Sequence, residues 1–507
     1  MIKRDPALSL HVVGESSPAS GRIAVIDIGS NSVRLVVYEK VSRSPVSLFN
    51  EKIVCGLGRG LVSGGPLEAK AKALALENLP RFVALARAMK VARLDVLATA
   101  AVREAGDGPA FVERVESLCG VKVKVLSGED EARLSAFGVV AGSPQASGLM
   151  GDLGGGSLEL VRLEDGQPCQ VATFPLGTLR FVEKEGGAYS PKKAAALIET
   201  QLSGLDWLSQ ARGQTLYAVG GAWRALARLH IRQSGYPLSV IHQYVMERGQ
   251  IDDLLSVIGR LSRRSLDQIP HLSLKRAATL PVAALIMERL LDMADPERVM
   301  FSGFGLREGQ IYQLLDESER RKDPLIAACR DLAETAVRFG LAGESLLEWT
   351  SPLFVDESAE EKRLRLAACL LSDIAWREHP DYRAEQAYDR VLRMPIADMN
   401  HPARAFLALA LFVRYGGDFR AMIAAPMQML LGEKGVRNAA LLGMTLRLAN
   451  FFTGGLPALL AGASLQVEDS DLVLQVNPEG KGLAGETVHE VLAALANLAG
   501  YNPVIRE

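Results

Sequence analysis

At 507 residues the chain is too long for one hydrophobic core, so two to four domains are expected. Apolar residues make up 48% and charged residues 23%, as in an ordinary globular protein, and the formal net charge of −2 excludes a surface that coats nucleic acid generally; it leaves room for a local basic channel for a polyanion. The five cysteines stand far apart with no CxxC pair, which fits reduced thiols and offers no zinc site. Residues 1–20 include Lys3, Arg4, Asp5, His11 and Glu15 and hold no continuous apolar run like that of a signal peptide. No uncharged apolar stretch reaches the length of about 18 residues that a membrane span needs. The expectation is a cytoplasmic protein with no membrane span and no nucleic-acid partner.

In chain order, residues 1–20 read as an N-terminal arm. Residues 21–140 read as hairpin, helix, strand, helix, strand, helix, with a helical run over 68–90 and strands over 94–98 and 121–126. A similar unit recurs over 141–315: a second hairpin, helical segments near 191–210 and 247–263, and strands over 215–219 and 299–302. Such alternation predicts an α/β fold with largely buried sheets. A charged stretch over 316–324 marks a boundary. Beyond it, 325–460 is rich in Ala, Leu and Arg at helical spacing, which predicts an α-helical domain. Residues 461–507 carry an alternating pair of strands around Glu468-Asp469-Ser470-Asp471 and a closing helix, read as a small α+β domain or an appendage of the helical one.

Two stretches superimpose without a gap: Asp27-Ile28-Gly29-Ser30-Asn31-Ser32 and Asp152-Leu153-Gly154-Gly155-Gly156-Ser157. Each lies between a short apolar run and an alternating apolar stretch, which predicts strand, tight turn, strand. The turns Gly29–Ser32 and Gly154–Ser157 expose backbone N–H groups, and glycine lets an anion approach them. They are candidates for binding phosphate oxygens, helped by the hydroxyls of Ser30, Ser32 and Ser157. Asp27 and Asp152 either cap their turns or hold a hydrated divalent cation; their identical register favours the cation. Neither stretch has the Lys of a Walker loop, and neither runs into a helix. Two hairpins of one design point to chemistry on a phosphoryl group.

Other residues read less sharply. Arg103 follows a strand in a Thr-Ala-x-x-Arg context, and a guanidinium fork matches phosphate geometry. Ser127-Gly128-Glu129-Asp130-Glu131 is a capping box before an amphipathic helix. Gly220, in Val219-Gly220-Gly221-Ala222, either approaches a phosphate or permits tight packing. Glu159 reads by itself as an exposed strand residue alternating with Leu158 and Leu160. The arginines of the helical half (Arg363, Arg365, Arg404 and Arg414 among them) read as a solvated face or as a track for a long polyanion.

The duplicated hairpins resemble the actin/sugar-kinase/Hsp70 ATPase superfamily. Within it the chain is similar to the exopolyphosphatase and guanosine pentaphosphate phosphohydrolase family, through Asp27 to Ser32, Thr99-Ala-Ala-Val-Arg103, Ser127 to Arg133, Asp152 to Glu159, and Ser302-Gly-Phe-Gly-Leu-Arg-Glu-Gly309. The resemblance implies two actin-like (ribonuclease H-like) lobes, a helical HD-like domain, a small final domain, a homodimer and Mg²⁺ dependence. It implies removal of terminal phosphate from inorganic polyphosphate. Guanosine pentaphosphate hydrolysis at the same site, or a non-catalytic sensor of polyphosphate or guanosine tetraphosphate, are the alternatives; a sugar or acetate kinase is more distant. It also implies a water-activating role for Glu159, a basic role for Lys275, and a main catalytic carboxylate at Asp130, with Glu129 and Glu131 as substitutes. Asp is one methylene shorter than the Glu expected there, which bears on positioning. The chain departs from the HD pattern: it has no His-Asp dipeptide and reads Leu371-Ser372-Asp373 instead, so a second metal centre is not expected.

Overall fold

The computed structural model describes residues 21–181, 190–269, 274–340, 342–421 and 425–507. Its first sheet contains β1 (Ile23–Ile28), β2 (Val33–Tyr38), β3 (Ser47–Ile53), β4 (Arg93–Ala98) and β5 (Val123–Val125) in the order β3-β2-β1-β4-β5. The first three strands form an antiparallel meander, and β4 and β5 continue from β1 in parallel. The second sheet contains β6 (Gly148–Leu153), β7 (Leu158–Glu164), β8 (Gln167–Phe174), β9 (Thr215–Val219), β10 (Tyr244–Glu247) and β11 (Arg298–Phe301). Read from β8, its order β8-β7-β6-β9-β11 repeats the first sheet with the same strand directions, and β10 is added antiparallel at the far edge. The two α/β lobes are thus duplicates, as the hairpin motifs predict.

β1 and β6 are central in their sheets and buried along nearly their whole length. That is why Ile23-Ala24-Val25-Ile26 and Leu149-Met150 precede the polar turns: a strand covered on both faces needs apolar residues at successive positions.

The lobes are tied by an exchange of helices. Helix Gly128–Gly142 follows the first sheet, yet Ala132, Ala136, Val139 and Val140 pack with Met150, Val161 and Val219 of the second. Helix Leu306–Gln313 follows the second sheet, yet Ile311 packs with Ile23, Val25 and Val36 of the first. The two helices cross at backbone contact. A Cβ on Gly309 would stand 1.7 Å from the Leu134 carbonyl oxygen, and one on Gly138 would stand 2.2 Å from that of Gly305.

Beyond residue 324 the chain is mostly helical, including helices Ala359–Leu371, Arg383–Arg393, His401–Arg414 and Ala425–Thr453. It ends in a three-stranded sheet, β12 (Ala463–Glu468), β13 (Asp471–Val476) and β14 (Asn502–Arg506), with helix Glu486–Ala499. Leu465, Leu474, Val476 and Leu492 share one buried cluster with Phe412, Leu442 and Phe452, so sheet and helices have a continuous core. Trp349 Nε1 donates to the Ala463 carbonyl at 2.9 Å across that seam.

Arg365, Arg404 and Arg414 of this region are turned into the fold, whereas Arg377, Arg390 and Arg393 are exposed. Arg365 and Arg404 are 2% and 1% exposed, and Arg414 is buried. Arg365 pairs with Glu357, Arg404 Nη1 donates to the Met394 carbonyl at 2.6 Å, and Arg363 bridges Asp323 and Asp398. These guanidiniums satisfy carbonyls and carboxylates inside the fold, which removes them from any polyanion path. Among the described residues, no helix is long and apolar enough to cross a membrane.

Gly309→Ala forces a methyl group into the helix crossing, and the obstacle is backbone rather than a movable side chain. Overpacking of this kind costs about 2–3 kcal/mol. The variant should unfold at lower urea concentration than the parent when followed by circular dichroism.

Candidate active site between the lobes

Each turn closes in the same way: Gly29 N–H donates to the Ser32 carbonyl at 3.0 Å, and Gly154 N–H to that of Ser157 at 3.0 Å. Their outward carbonyls are held from behind. Gly56 and Gly58 N–H donate to Asn31 and Ser30, and Thr178 and Leu179 N–H donate to Gly154 and Gly155. Among the described residues, no protein acceptor takes the N–H groups of Ser30, Asn31, Ser32, Gly155, Gly156 or Ser157. They stand ready for an anion.

The two turns touch. A Cβ on Gly156 would lie 2.5 Å from Ser30 Oγ, and one on Gly155 would lie 3.3 Å from Ser30 Cβ. Around this contact opens a cleft of about 340 Å³. Asp27, Asp152, both turns and Gly220 line it together, as the sequence predicts. Gly220 has φ +100°, and a Cβ there would meet the Leu153 carbonyl at 2.3 Å and Asp152 Oδ1 at 3.1 Å. Its glycine is required by packing against the second turn.

Strand register sets the charges at the cleft floor. β1 and β2 pair Asp27 with Arg34; β6 and β7 pair Asp152 with Glu159. The sister positions thus carry a cation in one lobe and a carboxylate in the other. Asp27 Oδ2 lies 3.5 Å from Arg307 Nη1, and Ser135 Oγ donates to Asp152 Oδ2 at 2.6 Å. Burial raises the pKa of both aspartates, an effect that Arg307 opposes at each.

The capping box divides the roles of the Ser127–Glu131 segment, and the expectation for Asp130 is corrected. Asp130 is exposed and accepts from Ser127 Oγ at 2.8 Å, while its own N–H donates to Ser127 Oγ at 3.0 Å. It stands outside the cleft as a helix cap. Glu129 is also exposed, paired with Arg133. The carboxylate that enters the cleft is Glu131, 9% exposed. One residue further along a helix turns the side chain by about 100°, from solvent to interior. Burial raises the Glu131 pKa to about 7 against the pull of Arg103, with Asp152 and Asp27 adding to the rise.

Arg103 is corrected as well. It does not line the cleft; Nη1 donates to Glu131 Oε2 at 2.9 Å and to the Leu126 carbonyl at 2.8 Å. It holds Glu131. Glu159 is no exposed strand residue: it is 1% exposed, behind the cleft wall, and accepts from Thr173 Oγ1 at 3.2 Å. Burial raises its pKa well above the usual carboxylate range, and the neighbouring Glu131 and Asp152 raise it further. Lys275 belongs to helix Leu274–Ala294, but its side chain falls outside the described residues.

Sequence reasoning missed the cations. Arg34, Lys52, Arg59, Arg224, Arg228 and Arg307 all line the cleft. Nε of Arg34 and of Arg307 is buried without a hydrogen-bond partner. Signals did exist: Arg34 occupies the duplicate position of Glu159, Arg307 lies inside Ser302–Gly309, and Arg224 and Arg228 follow Gly220 by one and two helical turns.

Residues 36–318 match the model of the Ppx/GppA phosphatase family, and residues 325–505 match that of the exopolyphosphatase C-terminal region. The chain belongs to the Ppx/GppA phosphatase family. It is 27% identical over 431 residues to retrograde regulation protein 2 of Saccharomyces cerevisiae, covering 78% of this chain and 72% of that protein. It is 28% identical over 305 residues to exopolyphosphatase 1 of Mycobacterium leprae, covering 58% of this chain and 90% of that one. Guanosine-5'-triphosphate,3'-diphosphate pyrophosphatase of Photobacterium profundum is 25% identical over 327 residues, or 60% of this chain; the match spans 61% of that protein, less than two thirds. Among solved structures, an exopolyphosphatase from Cytophaga hutchinsonii superimposes with a TM-score of 0.53 at 24% identity, over 58% of this chain and 97% of that one, a likeness in fold. The two sheets of this Ppx/GppA chain resemble actin-like lobes, followed by a helical C-terminal region.

The raised carboxyl pKa values have a consequence for stability. Glu131 binds its proton more tightly folded than unfolded, so its contribution is present below the unfolded value near 4.5 and is lost as pH rises through about 7. Glu159 acts in the same direction. Thermal unfolding midpoints of the metal-free protein should therefore fall between pH 5 and pH 8, and Glu131→Gln should make that fall shallower. A midpoint independent of pH over this range would contradict the coupling of these carboxyl groups.

Proposed function

We propose that this Ppx/GppA chain is an exopolyphosphatase, hydrolysing the terminal phosphoanhydride bond of inorganic polyphosphate and releasing orthophosphate. The observation that carries the proposal is the meeting of two turns with free N–H groups at one cleft whose wall, among the described residues, holds six cationic side chains against three carboxylates. The exopolyphosphatase name of the Mycobacterium leprae relative supports it.

The terminal phosphate lies against the free N–H groups of both turns. Arg34 and Arg307, with their buried unpartnered Nε atoms, stabilise the charge spreading over its oxygens. Glu131, oriented by Arg103, takes a proton from the attacking water. The water oxygen bonds to phosphorus, the bridging P–O bond breaks with its electrons going to the shortened chain, and orthophosphate leaves. Glu159 lies behind Glu131, and burial favours its protonated form.

Asp27 and Asp152 are the proposed holders of Mg²⁺. Among the described residues no group of three or more His, Cys, Asp or Glu forms a cage, and two carboxylates fit a cation that keeps several waters and shares phosphate oxygens. When bound, Mg²⁺ screens the phosphate charge. The homodimer and the HD-like ancestry of the helical region belong to the same proposal; Asp373 there is paired with Arg338 at 2.7 Å, which supports a domain without its own metal centre.

Guanosine pentaphosphate hydrolysis is the second reading, favoured by the name of the Photobacterium profundum relative. Among the described residues no aromatic side chain lines the cleft, so a purine would lack a stacking surface. A non-catalytic sensor is favoured by an Asp in the base position, whereas Glu131 in the cleft supports turnover.

Phosphate release from long-chain polyphosphate and from guanosine pentaphosphate, with Mg²⁺, tests the proposal. The parent should act on polyphosphate, with kcat/KM rising as pH passes about 7 and Glu131 loses its proton. Glu131→Gln should lose about 100-fold or more in kcat, while Asp130→Asn stays within about threefold. A parent inactive on both substrates defeats the enzyme reading; an Asp130→Asn loss as large as that of Glu131→Gln would return the base to Asp130.

A further inference from the structure

The cations of the cleft extend beyond the place of the transferred phosphate. Arg34, on β2 of the first lobe, and Arg307 and Arg224, from the second, stand close together: Arg307 disfavours the charge of both Arg34 and Arg224. Arg224 is fixed by the backbone: Nε donates to the Gly220 carbonyl at 3.1 Å, and Nη1 to that of Gly303 at 3.2 Å. The second turn, through Gly220, thus positions the first arginine of helix Trp223–Gln233. Arg228 follows one turn later on the same helix, about 6 Å further along its axis. It also lines the cleft, and it has no hydrogen-bond or ion-pair partner among the described residues.

An exposed, unpaired arginine is ordinary by itself. Arg228 differs in being the outer member of a row that begins at the phosphate turns. Within the row, Arg34 and Arg307 face Asp27 and Glu308, and Arg224 faces Asp152 and Glu308, whereas Arg228 faces no carboxylate and carries its charge in a partly desolvated wall. A single phosphate at the turns meets Arg34 and Arg307, and Arg224 already faces Asp152, but Arg228 is left without a counterion. A chain of phosphates answers all four.

Resting on the exopolyphosphatase reading, we infer that Arg224 and Arg228 form a subsite for the internal phosphates of the substrate, so that the chain leaves the turns along helix Trp223–Gln233. Arg224 receives the phosphates nearest the scissile bond, and Arg228 those further in. The subsite favours long unbranched polyphosphate over short chains, because only a long chain reaches Arg228. A nucleoside at the same distance would place its ring against a guanidinium and a polar helix face rather than against an aromatic surface.

The test compares the full-length parent with Arg228→Ala and Arg228→Lys, using long-chain polyphosphate and tripolyphosphate with Mg²⁺. Arg228→Ala should raise KM for the long chain about 5–10-fold and for tripolyphosphate less than twofold; Arg228→Lys, which keeps the charge, should recover most of the difference. The salt dependence of long-chain KM should be less steep in Arg228→Ala, since one phosphate contact is lost. Equal changes for both substrates, or none for either, would overturn the subsite while leaving the exopolyphosphatase reading in place. Equilibrium binding of fluorescently labelled long-chain polyphosphate separates the two ideas. A parent that binds but does not hydrolyse, with binding weakened by Arg228→Ala, keeps the subsite and removes the activity; a parent that neither binds nor hydrolyses removes both.

Discussion

The contact between Ser30 and the glycines of the second turn is the constraint on which the site depends. It works only because Gly155 and Gly156 carry no Cβ; a methyl group on Gly156 would stand 2.5 Å from Ser30 Oγ. Two turns that approach this closely can share one anion, whereas either alone would be a surface hairpin with exposed N–H groups. The same economy of space recurs behind them: a Cβ on Gly177 would meet the Gly156 backbone at 2.2–2.3 Å. Small residues are concentrated where backbone must meet backbone, and the anion site follows from that closeness.

Bringing the turns together also concentrates charge. Asp27, Asp152, Glu131 and Glu159 are all pushed toward their neutral forms by burial, with neighbouring carboxylates adding to the rise at Asp27, Glu131 and Glu159, and Arg224 is pushed down to about 10. A site of this kind is at its most favourable when filled, because a bound polyanion and a divalent cation supply the missing counter-charges on both sides. The strain lies in solvation and charge, not in the backbone, and it is held by the two lobes jointly.

The lobes, the hairpins and the pairing of Asp27 with Asp152 were legible in the sequence because duplication displays itself twice in identical register. Side-chain direction was less legible. Ser127-Gly128-Glu129-Asp130-Glu131 offers three successive carboxylates, and only the start of the helix decides which faces the cleft. The capping bond claims Asp130 for the surface and so delivers Glu131 inward. Glu159 looked exposed because strand alternation assigns one face to solvent; here both faces of β7 are covered. The arginines misled in both directions. Arg365 and Arg404, in a helical run that resembles a solvated face, are buried among their own carbonyl and carboxylate partners, whereas Arg34 and Arg307 serve the cleft from positions that composition and periodicity treat as ordinary.

The exchanged helices give the cleft a further property. Glu131 stands in the first turn of helix Gly128–Gly142, whose body packs on the second sheet. Arg103, which orients it, ends a short helix that follows β4 of the first sheet. The pair therefore spans the two lobes: the carboxylate is carried by one and held by the guanidinium of the other. Any change in the angle between the lobes moves Glu131 relative to Arg103, and also moves the first turn relative to the second. Alignment of the base and completion of the anion site are thus one geometric event rather than two.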